Sequence, residues 1–417
     1  MGQVPSAAAS ATDRNVIPLS RNRNFTLLWI GELLSELGGE IAFISFPLLV
    51  LFTVRSPVET GLIVSTTAIA RMVATLPAGL LADRGNRRRL MLFCQLARVL
   101  AMGSLAIALY SGSFSLALLL VVAAVEGLFS SAFEPVEHAA LTQIVPPEQL
   151  SQALARNAAR PYAATLVGPA VAGVLFATMR MLPFAVTTGL LVISFGCLLA
   201  LRIPASVQAQ PAPGERLARQ AGEGLRWVLG NRLIRTTLVW LMVSQLVFTA
   251  LIVVILAASG EGNLPPTKIG LMMTCVGAGG LLGAACAARI HAKLRPATIV
   301  LGFAWIAPAL TLAMAFVPVG LPIGLVLGCL AFFVPVVMTT VMTYQLERTP
   351  DRLRGRLSGA VGLCTGGASA LGPAVAGFAM AGGATTSLLA GAAVLAVVAV
   401  GTTLSPTLRR FGQAPNR

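Results

Sequence analysis

Three carboxylates, Glu32, Glu36 and Glu40, recur at i, i+4 and i+8 inside the first apolar run, which on a helix puts them in one stripe with neighbours about 6 Å apart. Ionisable side chains at membrane depth are expensive to keep and are functional candidates by default. Burial and mutual repulsion make it costly to hold all three ionised, so at least one is expected to take up a proton. Glu126 falls midway along the fourth apolar run, and Arg71, Arg98 and Arg160 fall in the second, third and fifth. If every arginine pairs, one carboxylate is left over, and that acid is the expected proton carrier: Glu36 and Glu40 first as the deepest, then Glu126, then Glu32. The other reading is that these charges form fixed interior ion pairs, with Glu32 facing water. The second half has no deep acid, since Glu261, Glu347 and Asp351 lie in loops or at span ends. It offers Trp240, Gln245, Phe248, Trp305, Phe332, Phe333, Met338 and Tyr344 for an apolar, aromatic substrate surface, each with core packing or lipid contact as its alternative duty.

The elements that must carry these residues are dictated by composition. Of 417 residues, 56% are hydrophobic and 11% charged, far from the balance of a water-soluble domain, and mean hydropathy is +0.83. At about 20 apolar residues per crossing the chain has room for roughly twelve spans and no separate catalytic domain. The apolar runs place the spans near 25–52, 60–82, 89–111, 114–137, 152–178 and 182–202, then 234–258, 267–290, 297–317, 320–344, 356–381 and 385–405. An all-α polytopic fold follows, with a tail over 1–24, a first bundle over 25–202, a linker over 203–233, a second bundle over 234–405 and a tail over 406–417. Residues 1–24 lack the apolar core and cleavage site of a signal peptide.

The net charge of +15 does not indicate nucleic-acid binding, because the basic residues are not one patch. With the N-terminus inside, 23 of the 30 lie in inside segments and 3 (Arg55, Arg180, Lys268) in outside loops, so both termini are expected in the cytoplasm. Cys94, Cys197, Cys275, Cys286, Cys329 and Cys364 form no C-x-x-C pair and read as small buried hydrophobes of a bacterial inner-membrane protein. His138 and His291 lie at expected helix ends far apart, so no metal site and no cofactor is expected. No nucleophile, metal-ligand or phosphate-loop constellation suggests an enzyme.

The halves resemble one another. Gly168-Pro169-Ala170-Val171-Ala172-Gly173 recurs as Gly372-Pro373-Ala374-Val375-Ala376-Gly377, 204 residues later, and Pro147-Glu148-Gln149-Leu150 answers Pro350-Asp351-Arg352-Leu353. A six-plus-six duplication is an architecture of secondary transporters. Between the halves, Pro204, Pro211, Pro213 and Gly214 precede Leu217, Leu225, Trp227, Val228 and Leu229 among arginines, which predicts a flexible linker and then a basic amphipathic helix on the membrane surface.

Between spans 2 and 3, Gly79-Leu80-Leu81-Ala82-Asp83-Arg84-Gly85-Asn86-Arg87-Arg88-Arg89-Leu90 joins a glycine, an acid at a helix end, a tight turn and an arginine cluster. With this motif the chain resembles the major facilitator superfamily of transporters: Gly79, Asp83, Arg84, Arg87 and Arg88 match that family's loop signature, while Gly85 and Asn86 depart from its usual turn. The resemblance implies a conformational latch in which the aspartate holds one state against the other half and the arginine meets an acid at the end of span 4, here Glu134 or Glu137. Asn24-Phe25 with Leu28-Trp29, Glu223-Gly224-Leu225-Arg226 and Pro350 to Arg356 look like the drug and siderophore exporter branch. The Gly168, Pro169, Gly173 set, repeated as Gly372, Pro373, Gly377, is similar to a shortened antiporter helix-packing motif. The span 4 arginine of many proton-coupled exporters has no counterpart, and Glu126-Gly127 occupies that region.

The expected function is alternating-access export of amphipathic small molecules across the bacterial inner membrane by proton antiport, with the bilayer, protons and substrate as the only partners of a monomer. The alternatives are a dedicated exporter of an endogenous metabolite such as a siderophore, and a non-transporting membrane receptor of the same fold.

Overall fold

A computed structural model describes residues 18–84, 86–202, 226 and 229–405. Among these are twelve long helices and no strand: α1 (Arg23–Thr53), α2 (Pro57–Arg84), α3 (Arg87–Tyr110), α4 (Leu116–Ile144), α5 (Pro147–Thr178), α6 (Leu182–Ala200), α7 (Arg232–Glu261), α8 (Pro266–Lys293), α9 (Pro296–Met314), α10 (Leu321–Glu347), α11 (Asp351–Ala379) and α12 (Ala384–Leu404). Among the described residues, eleven of these helices show a stretch long and apolar enough to cross a membrane. The expected amphipathic helix after residue 203 lies outside the described residues, apart from helical Arg226, Leu229 and Gly230. The tails 1–17 and 406–417 lie outside them too.

Local chemistry sets the helix starts. Asn22, Asn86, Ser115 and Asn231 cap α1, α3, α4 and α7, each side-chain oxygen accepting from a backbone N–H of the first turn. Proline opens α2, α5, α8 and α9, where its missing N–H costs nothing. The turns after α1 and α7 both pass through the left-handed region, at Arg55 (φ 58°) and Asn263 (φ 50°), so the same bend follows the first helix of each half.

Within the first half α1 packs on α5 and α6, α2 on α4, and α3 on α4 and α6; in the second, α7 packs on α11 and α12, α8 on α10, and α9 on α10 and α12. These sets coincide when the first helix of each half is superposed. The halves join through α2 against α11 and α8 against α5, two seams exchanged by the same operation. Glycine makes them possible. A Cβ on Gly61 would collide with the Pro373 carbonyl and lie 3.2 Å from Gly377 Cα, and one on Gly270 would collide with the Pro169 carbonyl and lie 2.9 Å from Gly173 Cα. Deeper in the second seam, Gly277 lies against the Thr165 carbonyl. That carbonyl lacks its helical partner because the residue four positions on is Pro169.

These contacts, with Leu51 of α1 against Gly260 of α7, fall towards the face formed by the α1–α2, α5–α6, α7–α8 and α11–α12 turns. The opposite face, where residues 18 and 405 lie, is here called the chain-end face.

Gly270→Leu introduces about 1–3 kcal/mol of overpacking into the α5–α8 seam, enough for a roughly five- to 150-fold shift away from this arrangement. Spin labels at exposed Met179 and Lys268 are expected to report a longer, broader distance in the variant; an unchanged distribution contradicts the seam.

Candidate functional site

The first half encloses a polar cavity of about 490 Å³, lined from α1 by Glu32, Glu36 and Glu40, from α2 by Arg71, from α3 by Arg98, from α4 by Glu134, Glu137 and His138, and from α5 by Asn157 and Arg160. Its walls lie about 10–25 Å in from the chain-end face, at 1.5 Å of rise per residue. Glu134, His138 and Leu154 on its chain-end side are exposed, as is Arg71, while Ala164 at its inner end is buried.

Two guanidiniums are fixed in this wall. Arg98 is 3% exposed and forks onto Glu126, Nη2 to Oε1 at 2.6 Å and Nε to Oε2 at 3.0 Å, while Nη1 donates to Ser35 Oγ (2.5 Å) and Gln95 Oε1 (3.3 Å). Gly39 leaves this group room beside α1: a Cβ there would lie 3.6 Å from Arg98 Nη2. Arg160 forks onto Glu137, both bonds at 3.2 Å, and Asn157 Nδ2 donates to the same carboxylate at 3.0 Å. Such two-pronged, charge-assisted pairs are the strong form of the interaction and the form in which buried charge is tolerable.

The remaining acids are held more loosely. Glu36 Oε1 stands 3.6 Å from Arg160 Nη2, a contact weaker than that of Glu137. Glu40 accepts from Thr165 Oγ1 at 3.2 Å and lies against Gly168, where a Cβ would be 2.5 Å from its own. Glu32 Oε2 and Glu36 Oε2 are buried without a hydrogen-bond partner. Arg98 and Arg160 are engaged by Glu126 and Glu137, and the same cavity is lined by four further acids, Glu32, Glu36, Glu40 and Glu134, with Arg71 and His138.

The sequence expectations land as follows. Glu126 is the partner of Arg98 and so is not the spare acid. Glu137, expected at the latch, is 1% exposed beneath Arg160; the apolar run suggested a span ending there, but α4 continues two turns to Ile144 and carries Glu137 inside. Glu134 faces the cavity. Arg88, another latch residue, donates from Nε and Nη2 to the Leu198 and Leu199 carbonyls at the end of α6. Of Gly79, Asp83 and Arg84 only the helical backbone is described, and Gly85 lies outside the described residues. Ser35, Gln95, Asn157 and Thr165 were missed because uncharged polar residues on helices give no pattern of their own.

In the second half, Trp240, Gln245, Phe248 and Met338 meet Phe303 and Leu330 around a gap of about 40 Å³, with Trp240 edge-on to Phe303 at 5.9 Å. That volume holds about one water, so a larger guest requires side chains to move. Phe332 lies instead with Phe333 in an apolar recess between α8 and α10, Trp305 is 48% exposed, and Tyr344 is 7% exposed beneath Arg348. These three do not line the gap. His291 bridges to the Val336 carbonyl and Thr340 of α10, Cys329 is exposed against the expectation of burial, and no metal cluster exists among the described residues.

Arg160→Ala strands the buried Glu137 carboxylate and is expected to destabilise the protein by about 3–5 kcal/mol. In thermal unfolding of the purified protein, Arg160→Gln combined with Glu137→Gln should lose less than the sum of the single variants. Additive losses would mean the two side chains are not coupled.

Comparison with known proteins agrees with this architecture. The family model described as Major Facilitator Superfamily matches residues 28–373. The chain is 29% identical over 281 residues to an uncharacterized MFS-type transporter, YfiS, of Bacillus subtilis; the match covers 65% of this chain and 66% of that one, just under two thirds of its length. It is 27% identical over 306 residues to the multidrug efflux pump Tap of Mycolicibacterium fortuitum, covering 70% of this chain and 73% of Tap. The solved structure of the nucleoside transporter NupG superposes with a TM-score of 0.73 at 12% identity, over 90% of this chain and 97% of that one. A multi-pass, all-α membrane protein, this chain belongs to the major facilitator superfamily of transporters, a family whose members are not enzymes.

Proposed function

We propose that the protein exports amphipathic, cationic small molecules by proton antiport, working as a monomer in the bacterial plasma membrane with its chain-end face in the cytoplasm. The observation that carries this reading is the surplus of carboxylates in the cavity once Arg98 and Arg160 are engaged. Four acids sharing one arginine and one histidine suit a cation, or protons in its place. A cavity of about 490 Å³ falls in the range of pockets that hold drug-sized ligands. The likeness to Tap, named as a multidrug efflux pump, points the same way.

In this scheme the halves rock about the two glycine seams. With the chain-end side open, the substrate cation enters and displaces a proton from the α1 stripe into the cytoplasm. With the opposite side open, the substrate leaves and a proton from outside takes its place, so one of the two always neutralises the site for the return. Glu36 is the central proton carrier: it stands between Glu32 and Glu40 and yields the Arg160 guanidinium to Glu137 at shorter range. Arg160 then serves as a fixed cation against which Glu36 charges or discharges. Export of an anionic metabolite, which intramembrane arginines would favour, loses support because Arg98 and Arg160 are already engaged by carboxylates.

The test is efflux of lipophilic cationic dyes from cells lacking their own pumps, with and without a protonophore. Efflux should require the proton gradient. Glu36→Gln is expected to lower gradient-driven efflux at least about a hundredfold, in the range of removed proton-transfer groups, at unchanged membrane expression. Full gradient dependence retained in Glu36→Gln would overturn the assignment of Glu36. No efflux of any dye by the expressed wild type would overturn the substrate class.

A further inference from the structure

At the chain-end margin of the first half, outside the transport cavity, lies a second polar recess of about 420 Å³ lined by Arg23, Arg88, Leu199, Ala200, Leu201 and Arg202. We propose that this recess between the ends of α1, α3 and α6 is a binding site for the phosphate of an anionic phospholipid headgroup.

The first observation is an uncompensated concentration of charge. Among the described residues, the side chains of Arg23 and Arg202 have no hydrogen bond or ion pair and no carboxylate lines the recess. Arg88 is held in place by the two α6 carbonyls that it caps, and its Nη1 is not used in that contact. The backbone N–H of Arg202 is tied to Asn24 Oδ1 at 3.3 Å, which anchors the end of α6 to the start of α1 and keeps the arginines of the two helices together.

The second observation is the placement of cations against helix dipoles. Arg23 is the first residue of α1, and Arg87, Arg88 and Arg89 form the first turn of α3; neither first turn contains an acid. Cations at a helix N-terminus oppose its positive end, and an anion bound there offsets both the dipole and the mutual repulsion. Guanidinium groups are the side chains best suited to clamp a phosphate diester.

The third observation selects a lipid over a soluble phosphate. The recess is at the end of the membrane-crossing helices, where headgroups lie, and apolar side chains are exposed on two of the helices that form it. Leu199, which lines it, is 52% exposed, and Phe93, Leu96 and Leu100 of α3 continue from Arg89 along the helix at 60%, 43% and 64% exposure. Acyl chains can follow this strip while the headgroup stays on the arginines, the arrangement that basic recesses at membrane surfaces offer to anionic lipids.

The experiment uses the full-length protein purified in mild detergent, with bound phosphatidylglycerol and phosphatidylcholine counted by native mass spectrometry. Arg88→Gln is a poor probe because it uncaps α6, so the variant is R23Q/R202Q, whose side chains make no hydrogen bond or ion pair among the described residues. The wild type should retain phosphatidylglycerol over phosphatidylcholine. At roughly fivefold per arginine, R23Q/R202Q should weaken that binding about 25-fold, with an unchanged thermal midpoint in lipid-free detergent. R289Q/R295Q, the same change of charge on the same face of the other half, should leave it intact. Equal retention of both lipids, or equal losses in the two double variants, overturns the site. Displacement of phosphatidylglycerol by millimolar glycerol phosphate overturns the lipid assignment in favour of a soluble phosphate.

Discussion

A guanidinium inside a bilayer persists only where a carboxylate meets it, and the first half of this molecule is organised around that requirement. Arg98 joins α3 to α4 through Glu126 and to α1 through Ser35, and Arg160 joins α5 to α4 through Glu137. These ties bring four helices to fixed positions around a polar cavity. Glu32, Glu36, Glu40 and Glu134 line that cavity beyond the carboxylates used in the ties. The same acids would be intolerable without the fixed arginines beside them, and the arginines alone would suit an anion.

The two halves share a helix arrangement and divide the physics. The second contains no deep charge and fills its centre with Trp240, Phe303 and their neighbours, leaving little free space. In the proposed scheme the second half adapts by moving side chains and the first by protonation. Both meet across seams in which glycine faces a proline carbonyl, where backbones approach without side chains between them. Such contacts are specific in register, because each depends on a glycine standing opposite a particular backbone group.

Much of this was legible in the sequence, for reasons that differ by element. Apolar runs and their breakers located the twelve helices, because length and hydropathy are what a bilayer demands. The Gly168 and Gly372 repeats announced the duplication, and the structure gives them their use: each supplies the proline carbonyl and the distal glycine of a seam. The stripe Glu32, Glu36, Glu40 was visible as periodicity, but the pairing of Arg160 with Glu137 was not. Hydropathy ends a span where polar residues begin, while the helix itself runs on to Ile144 and folds Glu137 inward. The exposure of Cys329 and the burial of Tyr344 depend on which neighbour faces which helix side, and a single helix does not encode that.

The exchange symmetry of the two seams bears on the history of the chain. A six-helix ancestor pairing with a second copy of itself would have formed both at once, one self-complementary surface used twice. In such a homodimer every inherited change at the contact was felt in duplicate. Fusion of the two copies into one reading frame released each seam to vary alone. The glycines and prolines still matched across 204 residues mark where that freedom has gone unused, while the acids of α1, absent from α7, mark where it was taken up.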